Sequence, residues 1–156
     1  MIQGRFGDTS KAPYVEGRVT LPRLNITSHV SFLVDTGSDC CLLHPVDSLR
    51  MNLDWKQLDW TQLAQLNESI GIGGLSYNWP EKAQVVFTEP NQRVYVYNIT
   101  IEIAEPNRFN LILPSILGRD ILNRWKMTYA PSSRTLAFEV VTADEIIPLS
   151  PSPRST

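Results

Sequence analysis

Apolar and polar residues alternate along five stretches of the chain, and this two-residue period is typical of strands that bury one face. The stretches, all rich in β-branched and aromatic side chains, are residues 14–21, 30–34, 83–87, 94–101 and 135–140. Turns that combine proline with a polar residue lie at 21–25, 89–92, 105–107 and 130–133. The pattern predicts a mostly β framework with hairpin connections.

Three segments depart from this alternation. Residues 46–66 carry leucines among polar residues, which predicts one or two short helices or an irregular excursion. Residues 116–125 predict a short helix after the glycine, because Ile121, Leu122 and Trp125 can share one face. The last ten residues, 147–156, are rich in proline and serine and predict a disordered tail or linker.

Composition narrows the class of protein. The 156 residues are 42% hydrophobic and 19% charged, with a formal net charge of -2, as in an ordinary soluble domain. No basic block occurs, so we expect neither a nucleic-acid partner nor a membrane partner. No secretory signal and no membrane-spanning apolar run are seen, and the expected localisation is cytoplasmic.

The two cysteines, Cys40 and Cys41, are adjacent in the sequence. Vicinal disulfides are rare, and two thiols alone cannot complete the usual four-ligand zinc site. We therefore expect small buried side chains, with a redox or ligand role as the alternative, and we expect no metal and no cofactor.

An apolar strand, residues 32–34, leads directly into Asp35, followed by Thr36, Gly37 and Ser38. An aspartate at a strand end is most often a turn or cap residue. The alternative is chemistry, because two adjacent carboxylates can share one proton, so that one activates water while the other polarises a carbonyl. Gly37 would bring an amide close to the carboxylate. Thr36 and Ser38 would add hydroxyl hydrogen bonds to the pair.

Two motifs carry a resemblance to a known family. Val34-Asp35-Thr36-Gly37-Ser38 resembles the active-site signature of aspartic proteases. The downstream run Ile116-Leu117-Gly118-Arg119-Asp120 is similar to the segment that packs beneath the active-site loop in that fold. The sequence contains one Asp-Thr-Gly, whereas the chemistry needs two carboxylates. The resemblance is therefore to the single-lobed retroviral type, in which a second copy supplies the other aspartate.

A third motif is rich in glycine: Ile70-Gly71-Ile72-Gly73-Gly74. These glycines would weaken an ordinary strand but suit a mobile hairpin that closes over a bound peptide. The motif resembles the flap of retroviral proteases, with Ile72 near its tip. A plain glycine-rich turn is the alternative, and a phosphate loop is disfavoured because no Lys-Ser or Lys-Thr follows.

The resemblance implies an all-β, single-lobed retropepsin-like fold, a closed barrel-like sheet with one short C-terminal helix and a flap hairpin. It implies a protease domain at 14–141, an N-terminal extension at 1–13 and a disordered tail at 142–156. Beyond the catalytic Asp35, the implied residues are Leu33, Pro114 and Ile116 in the groove wall, Leu117 and Gly118 beneath the site, and a pair formed by Asp39 and Arg119 near the dimer interface.

The implied activity is that of an aspartic endopeptidase acting on extended polypeptide substrates. A water held between Asp35 and its symmetry mate would attack the scissile carbonyl, so a homodimer is required. The C-terminal hairpin suggested by residues 127–129 and 136–138 could form the interface sheet. The alternative function is a catalytically weak dimerisation or peptide-binding domain. Serine or cysteine hydrolysis using His29 or His44 is disfavoured, because neither histidine has a motif partner.

Overall fold

The structure, a computed structural model, describes residues 1–53, 57–58, 67–71, 74–90 and 93–149, with the backbone alone at 67–71 and 74–76. The strands are β1 (Ile2–Gln3), β2 (Arg5–Phe6), β3 (Pro13–Leu21), β4 (Ile26–Val34), β5 (Leu42–Leu43), β6 (Asn67–Gly71), β7 (Gly74–Thr88), β8 (Arg93–Ala104), β9 (Ile116–Leu117), β10 (Trp125–Ala130), β11 (Thr135–Val140) and β12 (Glu145–Pro148). The α-helices are α1 (Pro45–Arg50) and α2 (Arg119–Leu122). Neither these nor any other helix in the described ranges is long and apolar enough to cross a membrane.

Six strands close into a barrel in the order β8, β5, β9, β4, β3 and β7, and β7 pairs back onto β8. Around it, β12 extends the edge of β8, β6 pairs with β7, and β2 pairs with β3. A second sheet has the order β1, β11 and β10. The predicted all-β fold class with few short helices is confirmed.

Buried and more exposed side chains alternate along the strands, and the buried ones form the core. On β4, Val30, Phe32 and Val34 are buried, while the residues between them are partly exposed. Trp125 joins the small sheet to the barrel: its ring lies 4.8 Å from that of Phe87, edge to face, and its Nε1 donates a 2.7 Å hydrogen bond to the Tyr97 hydroxyl. Aromatic pairs of this geometry stabilise a core beyond their buried area.

The short helix predicted after Gly118 is present, but it ends before Trp125, which begins β10. α2 spans Arg119–Leu122, and before it Ile116 and Leu117 form β9, which pairs with Leu33 and Val34. Pairing with a neighbouring strand satisfies backbone N–H and C=O groups, and the spacing of apolar residues along the chain does not show where such pairing occurs. In the other irregular segment α1 spans Pro45–Arg50, and residues 54–56 and 59–66 lie outside the described residues.

The C-terminal segment corrects the prediction of a disordered tail from residue 142. Glu145–Pro148 pairs antiparallel with β8. The Asp144 carboxylate anchors this strand, because it accepts hydrogen bonds from the Asn98 amide at 2.7 Å and from Arg124 Nη2 at 2.8 Å. Residues 150–156 of the predicted tail lie outside the described residues. The limits 14 and 141 of the predicted protease domain stay a prediction.

Candidate active site

The end of β4 positions Asp35. Strand β9 runs parallel to β4, where the Leu33 amide donates to the Ser115 carbonyl at 2.8 Å and the Asp35 amide donates to the Leu117 carbonyl at 3.1 Å. Backbone hydrogen bonds therefore hold the chain on both sides of Val34. Asp35 itself follows the last strand residue and is partly exposed, so its carboxylate is accessible from outside the barrel.

The turn after Asp35 is fastened to its carboxylate. The Gly37 amide donates a 2.8 Å hydrogen bond to Asp35 Oδ1, which is the contact expected from the sequence. A Cβ at position 37 would lie 3.1 Å from the same oxygen. Such crowding explains why a residue without a side chain suits this turn. The charge-assisted bond fixes the direction of the carboxylate.

Ser38 acts differently from the prediction, whereas the hydroxyl contact predicted for Thr36 stays a prediction. The Ser38 hydroxyl donates to the Cys40 carbonyl at 2.8 Å, so it does not bond the Asp35 carboxylate. The physical reason is that the chain bends at Asp39 and Cys40, which brings a carbonyl within reach of this hydroxyl. Thr36 is exposed, and its carbonyl accepts a 2.8 Å hydrogen bond from Arg119 Nη1. The Ser38 hydroxyl therefore contacts loop backbone, and the Thr36 carbonyl contacts the Arg119 side chain.

The segment predicted to pack beneath the loop lies there. The Arg119 amide donates to the Ser38 carbonyl at 2.9 Å, and Leu117 is fully buried. A Cβ on Gly118 would lie 2.3 Å from the Cys40 carbonyl oxygen and 2.4 Å from its carbon. Contacts this short are impossible, so the crossing of these two backbone segments requires glycine.

Arg119 and Asp39 form the ion pair that the sequence predicted. Asp39 is 89% exposed, and the Arg119 side chain is also well exposed. An exposed pair of this kind contributes between about 0 and 1 kcal/mol. The location of this pair at a dimer interface stays a prediction.

The sequence analysis named Asp120 within the downstream motif but assigned no role to its side chain, which ties Cys41 to α2. Its Oδ2 accepts the Cys41 amide at 3.0 Å, and its Oδ1 accepts both the Cys41 thiol and the Ile121 amide at 3.0 Å. The available signal was an acid in the first turn of a helix, a position where free amides need acceptors.

The two cysteines differ in burial. Cys41 is fully buried, as predicted, whereas Cys40 is partly exposed. Burial, reinforced by the carboxylates of Glu102 and Asp120, raises the pKa of the Cys40 thiol to about 12. Burial also raises the pKa of Cys41. Both side chains are therefore thiols at neutral pH, which argues against nucleophilic chemistry at either.

The predicted groove-wall residues are adjacent to the loop. Leu33 and Ile116 are register partners, and Pro114 is partly buried two residues earlier. The Pro114 carbonyl accepts a 2.6 Å hydrogen bond from His44 Nδ1, and burial lowers the pKa of this histidine.

A serine, an aspartate and a histidine also meet beside this wall. The Ser115 hydroxyl donates to Asp47 Oδ2 at 2.6 Å and accepts the His44 amide at 3.1 Å. Ser115 is fully buried, and its hydroxyl is engaged in the hydrogen bond to Asp47. This cluster therefore anchors the wall and offers no exposed nucleophile.

The glycine-rich motif falls within a hairpin. Strands β6 and β7 pair antiparallel, and Gly71 faces Gly74 across the pair. Ile70 belongs to β6, while Ile72 and Gly73 lie outside the described residues. Closure of this hairpin over a ligand stays a prediction.

Comparisons with known proteins bear on the fold. No protein-family model matches the sequence, and no curated protein gives a significant match. A retropepsin-like aspartic protease from Rickettsia conorii is similar in structure, with a TM-score of 0.55 and 16% sequence identity over 96% of this chain and 92% of that chain. EIAV protease in complex with the inhibitor HBY-793 has a TM-score of 0.42 and 18% identity over 75% of this chain and 90% of that chain.

Proposed function

We propose that this chain, whose fold is that of single-lobed retropepsin-like aspartic proteases, is an aspartic endopeptidase that works as a homodimer. The observation that carries the proposal is the setting of Asp35. Its carboxylate lies at the end of a barrel strand, is oriented by the Gly37 amide at 2.8 Å, and belongs to a loop supported from below at Gly118. A rigidly held and accessible acid is what general acid–base chemistry requires.

The proposal needs a second carboxylate, and a second copy of the chain supplies it. In the described residues Asp35 Oδ1 accepts the Gly37 amide, and no other acid forms a hydrogen bond with the Asp35 carboxylate. A two-fold axis beside the loop would bring Asp35 of one copy opposite Asp35 of the other. Two carboxylates held side by side in this way can share one proton.

Strand β10 is our candidate for the dimer contact. It pairs with β11 on one side, and among the described residues no strand pairs with its other side. Met127 and Tyr129 on this strand are exposed apolar side chains. An open edge with exposed apolar residues is a template for pairing with another strand, and a second copy would satisfy both features.

The reaction would proceed by water attack. The ionised aspartate removes a proton from the bound water as the water oxygen bonds to the scissile carbonyl carbon. The protonated aspartate donates its proton to the carbonyl oxygen in the same step. The aspartate that took the proton from water then donates it to the amide nitrogen, and the carbon–nitrogen bond breaks. The other aspartate takes a proton from a hydroxyl of the tetrahedral intermediate, which leaves as the carboxylic acid product, so the dyad again holds one proton. The flap hairpin, Ile70, Gly71, Ile72, Gly73 and Gly74, would cover the substrate, and Leu33, Pro114 and Ile116 would contact its side chains.

The test compares wild-type protein with Asp35→Asn on a broad peptide mixture at pH ~4 to ~7, with mass-spectrometric detection of products. We expect cleavage that is favoured at acidic pH, blocked by a statine-type transition-state analogue, and reduced at least about 100-fold in the variant. Asp8→Asn is the matched control, because Asp8 is an exposed acid in a turn distant in sequence from the loop. Cleavage that persists in Asp35→Asn contradicts the catalytic assignment.

Mixing experiments test the dyad itself. Excess Asp35→Asn subunits added to wild type should reduce activity more steeply than the same dilution with buffer, because mixed dimers hold one functional acid. Activity independent of added variant would argue against a shared site. Peptide binding without cleavage, in a protein shown to be dimeric, would instead favour the alternative of a catalytically weak peptide-binding domain.

A further inference from the structure

A row of side chains crosses the barrel strands beside the Asp35 loop. Leu33 on β4 is the register partner of Ile116 on β9, which is in turn the partner of Leu42 on β5. Leu42 is also the register partner of Glu102 on β8. Register partners project to the same face of a sheet, and all four side chains in this row are partly exposed. The residues that follow them along the strands are buried in the core: Val34, Leu117, Leu43 and Ile103. The groove wall at Leu33 and Ile116 therefore continues through Leu42 to a carboxylate.

Glu102 is held in place by Asn78 on β7. Asn78 is 1% exposed, and its Nδ2 donates a 2.8 Å hydrogen bond to Glu102 Oε2. This contact fixes the orientation of the amide, because a flipped amide would set its oxygen against the carboxylate. Asn78 Oδ1 is buried, and within the described part of the chain it accepts no hydrogen bond. A buried acceptor without a donor is costly, so this atom points to a donor that a bound molecule supplies.

The charge of Glu102 determines which kind of donor is favoured. The thiol of Cys40, five residues after Asp35, is a second hydrogen-bond partner of the Glu102 side chain. Burial, reinforced by this carboxylate, raises the pKa of Cys40 to about 12, so the thiol stays neutral. The Asn78 amide is neutral as well, and neither contact compensates a negative charge. A carboxylate accepts up to about four hydrogen bonds, and it binds cationic donors most strongly.

The two acceptors are close enough for one side chain to reach both. Asn78 Nδ2 and Oδ1 belong to one amide group, so Oδ1 lies within about 5 Å of Glu102 Oε2. An ammonium group carries three N–H donors and a guanidinium group carries five. The usual strand spacing places Glu102 about 14 Å from Leu33 along the row. A side chain bound at Glu102 therefore belongs to a residue on one flank of the scissile bond.

We propose that Glu102 and Asn78 form a subsite for a basic side chain of the polypeptide substrate, lysine or arginine, on the flank of the scissile bond. The inference rests on the proposed function and deepens it, because it names the substrate chemistry that the groove selects. Glu102 supplies the charge, and Asn78 orients that charge and adds a second acceptor. In a two-fold symmetric dimer the subsite occurs once in each half of the groove. The preferred substrate is then apolar in its middle and basic towards its ends.

The test moves a single lysine through each position of a peptide of about 12 residues, which is long enough in extended form to pass both subsites. The peptide is taken from a cleaved sequence or, if none is cleaved, alternates leucine and serine. Each lysine peptide is compared with one that carries norleucine there, which lacks only the ammonium group. We expect a flank position at which lysine lowers KM about 10-fold relative to norleucine.

A matched pair of variants assigns this preference to one carboxylate. Glu102→Gln keeps the shape of the side chain and can still accept from Asn78, so it removes mainly the charge. We expect the lysine preference to fall below about 2-fold in Glu102→Gln. Glu145→Gln makes the same change at an exposed position of β12 and should keep the full preference.

A binding measurement separates this inference from the proposed function. Fluorescence anisotropy of the labelled peptides is recorded with Asp35→Asn protein, with and without Glu102→Gln. A lysine preference that depends on Glu102 supports the subsite even if the wild type cleaves nothing. An equal preference in both forms, no preference at any position, or no binding of any peptide overturns the subsite.

Salt provides a check that does not depend on the folding of a Glu102 variant. Raising the ionic strength from about 0.05 M to about 0.5 M should weaken binding of the preferred lysine peptide several-fold and leave the norleucine peptide nearly unchanged. A lysine preference that is insensitive to salt would contradict contact with a carboxylate.

Discussion

Replacing Gly118 with alanine tests whether the segment beneath the Asp35 loop supports that loop. The new Cβ would lie 2.3 Å from the Cys40 carbonyl oxygen, 2.4 Å from the carbonyl carbon and 2.9 Å from the Cys40 Cα. All three atoms belong to the backbone, so no side-chain rotation can relieve the overlap. To reach an ordinary contact of 3.4 Å, the Ser38–Cys40 chain must retreat by about 1 Å.

The cost follows from the neighbours that must move. Overpacking a close contact typically costs about 1–3 kcal/mol, and a backbone overlap belongs at the upper end, so we expect a loss of about 3 kcal/mol. The displaced segment carries the Cys40 carbonyl that accepts the Ser38 hydroxyl, and it follows Gly37 directly. A shift of about 1 Å next to a catalytic acid is enough to lower a rate about 100-fold.

Urea unfolding at one fixed subunit concentration measures the loss in free energy of unfolding. The rate of peptide cleavage measures the effect of the displaced loop on activity. With a slope of about 2–3 kcal/mol per molar urea, the midpoint should fall by about 1 M. Gly7→Ala is the matched control, because the close neighbours of its Cβ would be side-chain atoms, the Ser10 hydroxyl at 2.9 Å and a Tyr14 ring carbon at 3.3 Å, which can shift. A Gly118→Ala protein within about 0.5 kcal/mol of wild type would refute the reasoning.

Two further predictions concern ion pairs. Hydrogen bonds from Arg124 and the Asn98 amide hold the pKa of Asp144 below its ordinary value of 3.8, so their stabilisation is present above pH 3.8 and is lost as pH falls through the lower folded-state pKa. Asp144→Asn should therefore unfold about 1 kcal/mol more easily at neutral pH, and melting curves should converge with wild type in strong acid; a constant difference contradicts this. Glu81 is buried and accepts Arg23 at 2.9 and 2.7 Å, so Glu81→Gln should cost about 2 kcal/mol in urea unfolding. Lys126→Ala, which removes an exposed pair, should cost less than about 0.5 kcal/mol; equal losses in both variants would refute the distinction.

Where the signal is local, sequence reasoning and structure agree closely. The stretch predicted as a strand over 135–140 has the same bounds as β11. Alternating side chains reveal which residues face the core whatever the partner strand is. The contact from the Gly37 amide to Asp35 was predictable for the same reason, because the two residues are neighbours in one turn.

The failures of the sequence-based predictions share one cause. The helical spacing of Ile121, Leu122 and Trp125 is present in the sequence, yet Trp125 begins β10, because it packs on Phe87 between the two sheets. The Ser38 hydroxyl was predicted to bond the Asp35 carboxylate, but the bend of the chain places the Cys40 carbonyl within its reach. In both cases the sequence allows more than one arrangement, and the packed state selects among them.

The sequence by itself determined the β framework, the acid loop at Asp35 and the presence of a glycine at position 118, because these depend on side-chain type and on neighbours in the chain. Only the tertiary structure decided that Gly118 lies against Cys40 and that Asp120 binds Cys41 from 79 positions away. It also decided that Glu102 lies in one row with the groove wall, beside the buried Asn78. A long-range contact depends on which backbone groups other strands have already satisfied, and no local pattern records that competition.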